Sequence, residues 1–278
     1  MQDGPFTDFV CSMAKPRIQI IYEDSDIVVL NKPAGVSVTS DRSGALRLID
    51  VLAGQLSAET AAALRLVHRL DKDTSGVMLL AKNRDAQSLF CGYFEKKLVK
   101  KTYLAIVSSV SADTCGTINA PLAPNRKNPA IMVVSEKGKP AVTHWRLLAD
   151  FGALALLAVN PVTDRTHQIR VHLNSIGLPL AVDPLYGGSA GVFLSDFKPD
   201  YTLAKNKTEK PLIDRLTLHA YRLSIVNNQS QIANDFVAPL EQKFAAAVKM
   251  LTKHNPKGPA AFLETDDFSK ILNARILD

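Results

Sequence analysis

Short apolar runs separated by polar turns occupy the first part of the chain. Residues 18–22 and 27–30 are β-branched runs separated by four polar residues, which predicts two short strands joined by a turn. Residues 31–35 then read NKPAG, in which proline fixes φ and glycine frees it. This combination predicts a tight loop at the edge of a sheet, a place where functional groups can gather.

The periodicity of the rest of the chain predicts interspersed strands and helices, because a period of two indicates a strand and spacings of three and four indicate a helix. The predicted strands lie at residues 66–70, 76–81, 101–108, 130–134, 142–148, 153–159 and 216–226. The predicted helices lie at residues 46–56, 61–66, 84–98, 166–176, 240–251 and 262–277, and residues 187–211 form a loop-rich insertion. Since the links are of hairpin length, we expect an α+β fold with a mixed, mostly antiparallel sheet flanked by helices and loops.

The length of 278 residues allows either two domains of about 150 residues or one large domain. Residues 1–17 lack periodicity and are predicted to be a poorly ordered tail, which leaves residues 18–278 as a single domain. No apolar run approaches the roughly 18 residues of a membrane span. Acidic residues precede Lys15, the first basic residue, which is the wrong order for a secretory signal, so we expect a cytoplasmic protein. The three cysteines have no CxxC spacing and indicate neither a disulfide framework nor a zinc site.

The charge balance is 33 basic against 27 acidic residues, a net charge of +6. Such a surplus is compatible with a polyanionic partner without requiring one. The distribution of the charge is more informative than its size, because Lys96, Lys97, Lys100 and Lys101 cluster where a predicted helix ends and the next predicted strand begins. Charge alone therefore leaves nucleic acid open as a partner.

The segment HRLDKDTSG at residues 68–76 is the strongest candidate for chemistry. Its ionisable side chains stand where a predicted strand meets a turn, and charges there are costly to bury and unnecessary for folding. Taken alone, Asp71 could simply cap the turn, since aspartate commonly bonds to its own backbone in turns. The concentration of charged groups nevertheless favours a functional site.

The motifs of the chain, taken in order, resemble those of one enzyme family. HRLD at residues 68–71, followed after two residues by TSG, resembles the signature of the RluA-type pseudouridine synthases. Further segments resemble the family's first motif, its tyrosine strand and its third motif: NKPAG at 31–35, KTYLA at 101–105 and RTHQIRVHL at 165–173. The match continues in the family's order with IGLP at 176–179, Asp183, Tyr186 with Gly187, and LHA at 218–220. The resemblance covers residues 18 to 244.

The resemblance implies the pseudouridine synthase catalytic fold and isomerisation of uridine to pseudouridine in RNA, with no cofactor and no metal. It makes Asp71 the essential aspartate, and Arg170 would form a bidentate pair with its carboxylate. Tyr103 would stack on the target base and could move a proton, and Ile169 would pack against the other side of the uracil. Whether Asp71 attacks the sugar, attacks the ring or abstracts a proton stays open.

A uridine inside folded RNA must leave its stack before it can reach such a site. By the resemblance, Arg69 would occupy the space that the base vacates, and Lys32, Lys101 and Arg165 are expected to contact phosphates. The expected partner is a stem-loop of ribosomal RNA or transfer RNA, and we expect a monomer. Many relatives carry a separate RNA-binding domain at the N-terminus, and we expect none here.

Two positions depart from the family pattern, because Asp164 and Val182 stand where the family usually has glycine. Aspartate tolerates a positive φ better than most residues, whereas valine does not. We therefore expect the loops around the site to differ from those of relatives. The histidines of the motifs, His68, His167 and His172, are expected to be structural rather than catalytic.

Other function classes also fit parts of the sequence. Residues 187–191 read GGSAG and satisfy G-x-S-x-G, which would make Ser189 the nucleophile of a serine hydrolase, although no buried strand is predicted before it. A metal-dependent hydrolase would use His68, Asp71 and Asp73. A non-catalytic RNA-binding protein would keep the RNA partner and lack the chemistry.

Overall fold

The computed structural model describes residues 17–39, 47–108, 112–198, 201–203, 207–226, 232–264 and 270–272. The strands are β1 (Gln19–Glu23), β2 (Ile27–Lys32), β3 (Arg65–Leu66), β4 (Ser75–Ala81), β5 (Val99–Val107), β6 (Cys115–Asn119), β7 (Leu122–Pro124), β8 (Met132–Val134), β9 (Val142–Asp150), β10 (Ala155–Pro161), β11 (Leu218–Val226) and β12 (Ile232–Val237). The helices are α1 (Leu48–Leu52), α2 (Ala58–Ala63), α3 (Arg84–Glu95), α4 (Gln168–Ser175) and α5 (Gln242–His254). Apart from Arg17, the predicted N-terminal tail lies outside the described residues.

One 10-stranded sheet forms the centre of the fold. Its strand order is β1-β2-β4-β11-β5-β10-β9-β6, with β3 paired to β4 and β12 paired to β11, while β7 and β8 form a separate hairpin. The β4–β11 pair is parallel, and the other pairs between these strands are antiparallel. The expected α+β fold with a mixed, mostly antiparallel sheet is confirmed.

Strand β11 joins two segments that are distant in sequence. Ala220 lies opposite Gly76 of β4 on one side and opposite Tyr103 of β5 on the other. Gly76 has a φ of +116°, and a Cβ atom there would lie 2.1 Å from the carbonyl oxygen of Ala220. Only glycine permits this approach. The end of the 68–76 motif is thereby held two strands away from Tyr103.

The alternation of side chains along β5 determines which helix each residue meets. Leu104 and Ile106 belong to the core that α5 completes. Ala105 and Val107 point the other way, into the core that contains the apolar side of α4. Tyr103 packs at the edge of this second core. The period-two pattern thus places Tyr103 on the face of the sheet that carries α4.

Several predicted elements are shorter in the structure or end elsewhere. The strand predicted at 66–70 covers only Arg65–Leu66, because the chain then leaves the sheet and His68 Nε2 accepts the backbone N–H of Leu79 at 3.0 Å. The helices predicted at 46–56 and 61–66 are Leu48–Leu52 and Ala58–Ala63, and Leu46 lies outside the described residues. Strands β6, β7 and β12 were not predicted, since they are short segments without a clear apolar alternation.

The last part of the chain differs from the predicted helix at 262–277. Residues 262–264 are not helical, and Phe262 forms an isolated β-bridge with Ala149. Residues 270–272 are helical, and the remainder of this prediction lies outside the described residues. In the described parts of the 187–211 insertion, the regular structure is a 3₁₀ turn at Leu194–Asp196. The described helices include none that is both long and apolar enough to cross a membrane.

Candidate active site

A cleft beside the sheet collects most of the residues singled out from the sequence. It has a volume of about 120 Å³, and its lining includes Asp71, Tyr103, Arg170, Arg69, Ile169 and Arg165. Three separate segments supply them: the loop before β4, strand β5, and α4 with the loop that precedes it. Lys32 and Lys101 are not among the lining residues.

Lys32 lies beneath the loop that carries Asp71, and the predicted phosphate contact does not fit its position. Its side chain is fully buried, and its ammonium group donates hydrogen bonds to the carbonyl oxygens of Pro33, Val36 and Lys72 at 3.0, 2.9 and 2.9 Å. The backbone N–H of Gly35 donates to the same Lys72 carbonyl at 2.9 Å. Burial lowers the pKa of Lys32 to about 7, opposed by Asp73 and Asp71. Lys32 therefore fastens the two loops together and cannot reach RNA.

Arg170 forms its bidentate pair with Asp183, not with Asp71 as expected. Its Nε and Nη2 atoms donate to the two carboxylate oxygens of Asp183 at 2.8 and 2.6 Å, and both side chains are buried. The remaining nitrogen, Nη1, lies 3.9 Å from Oδ2 of Asp71. Asp183 also accepts the backbone N–H groups of Leu185 and Tyr186. Asp183 thus fixes the guanidinium on one side, and the nitrogen on the other side, Nη1, faces Asp71.

His167, which was predicted to have only a structural role, lies close to Asp71 in the cleft. Its Nε2 atom lies 3.9 Å from Oδ2 of Asp71, and its Nδ1 atom is 2.8 Å from the hydroxyl of Tyr186. Its backbone is left-handed, with a φ of 54°, directly before α4. Burial lowers the pKa of His167, and the charge of Asp71 opposes that shift. A non-glycine residue in this conformation is uncommon and is often found at functional sites.

Tyr186 connects the cleft to the β7–β8 hairpin. Its ring lies under the guanidinium of Arg170, with 5.0 Å between the guanidinium carbon and the ring centroid. Its hydroxyl accepts the backbone N–H of Met132, the first residue of β8, at 2.8 Å. From the sequence, Tyr186 had a place in the order of motifs and no role, because no local pattern shows which group its ring contacts.

Tyr103 points into the cleft from β5. Burial raises the pKa of its phenol, and the carboxylates of Asp164 and Asp71 raise it further. The hydroxyl therefore keeps its proton at neutral pH. A neutral aromatic ring beside Asp71 can stack on a planar base, and its O–H group can donate a hydrogen bond.

Lys101 and Arg165 are both engaged with other groups at the rim of the cleft. The ammonium of Lys101 pairs with Asp164, and its side chain is 10% exposed. The Nε of Arg165 donates to the carbonyl oxygen of Pro140 at 3.1 Å. Arg69, in contrast, is exposed. Among the described non-glycine residues, positive φ values are limited to Lys97 and His167, so the backbone at Asp164 and Val182 has no need of glycine.

Comparison with known proteins assigns the chain to a family. The family model described as RNA pseudouridylate synthase matches residues 26–175, more than half of the 278 residues. This chain belongs to the RNA pseudouridylate synthase family. It is an RNA pseudouridine synthase, an isomerase that acts on RNA, which decides against a protein that only binds RNA.

Individual relatives of this synthase cover most of its length. The ribosomal large subunit pseudouridine synthase C of Vibrio parahaemolyticus is 36% identical over 246 residues, which span 87% of this chain and 72% of the relative. The protein of that name from Vibrio cholerae is 38% identical over 232 residues, 82% of this chain and 68% of the relative. The solved structure of human RNA pseudouridylate synthase domain containing 4 is 28% identical, has a TM-score of 0.62, and matches over 84% of this chain and 92% of that one.

The geometry of the synthase also disfavours the two hydrolase alternatives. The hydroxyl of Ser189 donates to the backbone carbonyls of Ala181 and Gly191, as a loop-stabilising serine does. The ring nitrogen Nε2 of His68 is occupied by the N–H of Leu79, so it is not available as a metal ligand beside Asp71. Within the described ranges, no group of three or more His, Cys, Asp and Glu side chains could hold a metal ion.

Proposed function

We propose that this synthase isomerises uridine in large-subunit ribosomal RNA, and that Asp71 is its essential carboxylate. The substrate follows from relatives, several of which are named ribosomal large subunit pseudouridine synthases. These names favour ribosomal RNA over the transfer RNA that the sequence also allowed. The observation that carries the catalytic role is the position of the Asp71 carboxylate, 21% exposed, in a cleft with Arg170 and His167 each 3.9 Å away.

The reaction is balanced within the substrate. The N1–C1′ bond of uridine breaks, a C5–C1′ bond forms, C5 loses its hydrogen and N1 gains one. The chain therefore has to orient the base, stabilise charge and move a proton. We assign the reacting carboxylate to Asp71, base stacking to the neutral ring of Tyr103, and charge stabilisation beside Asp71 to Arg170. The buried position of Ile169 in the cleft wall supports packing against the other side of the uracil.

RNA binding is proposed for the exposed rim of the same cleft. Arg69 is exposed, lies two residues before Asp71 and lines the cleft, which supports a role in filling the gap left by a flipped base. Arg165 and Lys101 are proposed phosphate contacts at this rim. We further propose that residues 18–278 act as a single catalytic domain and as a monomer, and the cytoplasmic location stays a prediction.

Tritium release from RNA labelled at C5 of uridine tests the essential role of Asp71. Asp71→Asn should reduce release by at least about 10³-fold while RNA affinity changes little, because many contacts hold RNA and one carboxylate performs the chemistry. Asp73→Asn removes a carboxylate two residues away in the same loop and serves as the matched control, with near-normal release.

The assignment would be wrong if Asp71→Asn kept substantial activity, or if Asp73→Asn lost as much. Circular dichroism of each variant separates lost chemistry from lost folding. Mapping pseudouridines in ribosomal and transfer RNA from cells with and without the gene then tests the substrate. Loss of a site in large-subunit ribosomal RNA is the expected result, and loss confined to transfer RNA would contradict it.

A further inference from the structure

The ammonium group of Lys101 is held by the carboxylate of Asp164, at a position where the resemblance described above leads us to expect glycine. Lys101 Nζ pairs with Oδ1 of Asp164. The same Nζ lies 5.8 Å from the centroid of the Phe94 ring. The Lys101 side chain is 10% exposed and that of Asp164 is 60% exposed. The cation is therefore enclosed, and the carboxylate is the part of the pair that faces solvent.

This ion pair stands at the rim of the active-site cleft. Asp164 lines the cleft together with Asp71 and Tyr103. Lys101 and Tyr103 are two residues apart on β5, so their side chains leave the strand on the same face. The influence of Asp164 on Tyr103 is also electrostatic, since its charge adds to burial in raising the pKa of the phenol. The pair therefore lies beside the cleft that contains Tyr103.

We propose that Asp164 is a specificity-determining residue, which occupies the phosphate position on Lys101 and yields it only to RNA of suitable backbone geometry. The inference rests on the proposed role of Lys101 as a phosphate contact. An RNA that brings a phosphate to Lys101 exchanges one ion pair for another. An RNA whose backbone passes elsewhere leaves the carboxylate in place and is repelled by its negative charge.

The structure gives Asp164 no competing backbone role. Its φ is not positive, and no backbone group is bonded to its carboxylate among the described contacts, so an amide of the same size should fit without strain. A partly exposed ion pair also adds little to folding stability, because solvent screens it. Asp164→Asn is therefore expected to fold normally and to change only the charge at the rim.

The proposal is tested by comparing the RNA affinity of Asp164→Asn with that of the wild type. The two probes are a short oligouridylate and a folded in vitro transcript of bacterial large-subunit ribosomal RNA. The oligouridylate should bind about two- to fivefold more tightly, the range for one partly exposed charge contact. The plot of log binding constant against log salt concentration should become steeper by about 0.7, because Lys101 then contacts one additional phosphate of the single strand. The folded transcript should gain less. Unchanged oligouridylate affinity and slope would overturn the proposal.

Three further variants test whether the effect passes through Lys101. Lys101→Met added to Asp164→Asn should abolish the gain, and a gain that persists would overturn the proposal. Glu59→Gln removes an exposed negative charge from α2, outside the cleft lining, and should leave the ratio of the two affinities unchanged. Asp164→Gly introduces the residue that the resemblance leads us to expect here and should act in the same direction as Asp164→Asn.

The binding measurement is independent of catalysis, so the role of Asp164 and the proposed function can be rejected separately. If the wild type releases tritium while Asp164→Asn binds both probes like the wild type, the role of Asp164 is rejected and the proposed function stands. If the wild type releases no tritium from the ribosomal transcript, the substrate assignment is rejected, and the oligouridylate data still decide the exchange at Lys101.

Discussion

Two carboxylates share the guanidinium of Arg170, and their different distances separate their roles. Asp183 accepts two charge-assisted hydrogen bonds and fixes the arginine in place. Asp71 stays 3.9 Å from Nη1, close enough to feel the positive charge and free of a direct hydrogen bond to it. If Asp71 is the reacting carboxylate, as proposed, this arrangement suits it, because its nearest cationic nitrogens among the described residues lie 3.9 Å away. At the residue scale, Asp183 fixes the position of Arg170, and the positive charge of Arg170 acts on Asp71.

Asp183→Asn should therefore destabilise the protein by about 3–5 kcal/mol, because it leaves a buried arginine without its main partner. Chemical denaturation of the variant and the wild type measures the difference. Asp214→Asn breaks the exposed pair with Lys243 and is the control, with an expected loss of about 0–1 kcal/mol. Equal effects of the two substitutions would show that the buried pair is not special.

At the scale of elements, the position of Asp71 depends on loops and strands that meet from distant parts of the chain. The buried ammonium of Lys32 and the N–H of Gly35 both bond to the carbonyl of Lys72, next to Asp71. At the other end of the same loop, Gly76 enters β4 in close contact with Ala220 of β11. The loop that carries Asp71 is thus held at both ends, by hydrogen bonds to the Lys72 carbonyl and by the pairing of Gly76 with β11, which explains how an irregular segment can hold a side chain in a defined place.

Gly76→Ala should break the second anchor. The added Cβ would lie 2.1 Å from the Ala220 oxygen at a φ that alanine rarely adopts, so we expect a loss of about 3 kcal/mol or more and a fall in turnover. Gly92→Ala in α3 is the matched control, because nothing lies within 4 Å of its Cβ position. It should stabilise the protein by about 0.5–1 kcal/mol. Thermal unfolding of both variants checks the contrast, and a stable Gly76→Ala protein would refute the close contact.

For the molecule as a whole, His219 links parts of the fold that lie far apart in sequence. This histidine is fully buried in β11, and its ring nitrogens meet the hydroxyl of Ser75 at 2.9 Å and the carbonyl of Ala238 at 3.3 Å. Its ring also lies 6.0 Å from that of Phe244 in α5. Burial lowers the pKa of His219 to about 4, and the bond to Ala238 opposes the shift. The imidazole is therefore neutral in the folded protein.

This shift predicts a loss of global stability in acid. The pKa of an unfolded histidine is about 6.5, whereas that of His219 in the folded protein is about 4. Between these two pH values the unfolded chain binds a proton at this residue and the folded protein does not, so lowering the pH favours unfolding. Stability should fall across this window by an amount on the order of 3 kcal/mol from His219. Urea unfolding between pH 7 and pH 4 measures it. His219→Gln should make the free energy of unfolding depend less on pH. His144→Gln, at an exposed histidine, is the control and should leave that dependence as it is. The same pH dependence in both variants would contradict the role of His219.

Much of the site could be predicted from local sequence. The period-two alternation of β5 put Tyr103 on its observed face, and the clustered charges of residues 68–76 indicated a site at Asp71. The order of the motifs brought in Arg170, which the structure places in the same cleft. Apolar periodicity and turn composition are features a few residues long, so they could indicate Tyr103 and Asp71 locally, whereas Arg170 was expected only from the resemblance; the structure brings all three into one cleft.

Tertiary structure alone decided the partner of each charge. Lys32 is buried under carbonyl groups, Arg170 pairs with Asp183 and Lys101 pairs with Asp164. The sequence shows that a residue is charged. Its partner belongs to another element and comes into contact with it only when the sheet and helices pack. The sequence therefore determined which chemistry this chain carries, and packing determined which charges bind the loops together, which line the cleft and which form ion pairs at its rim.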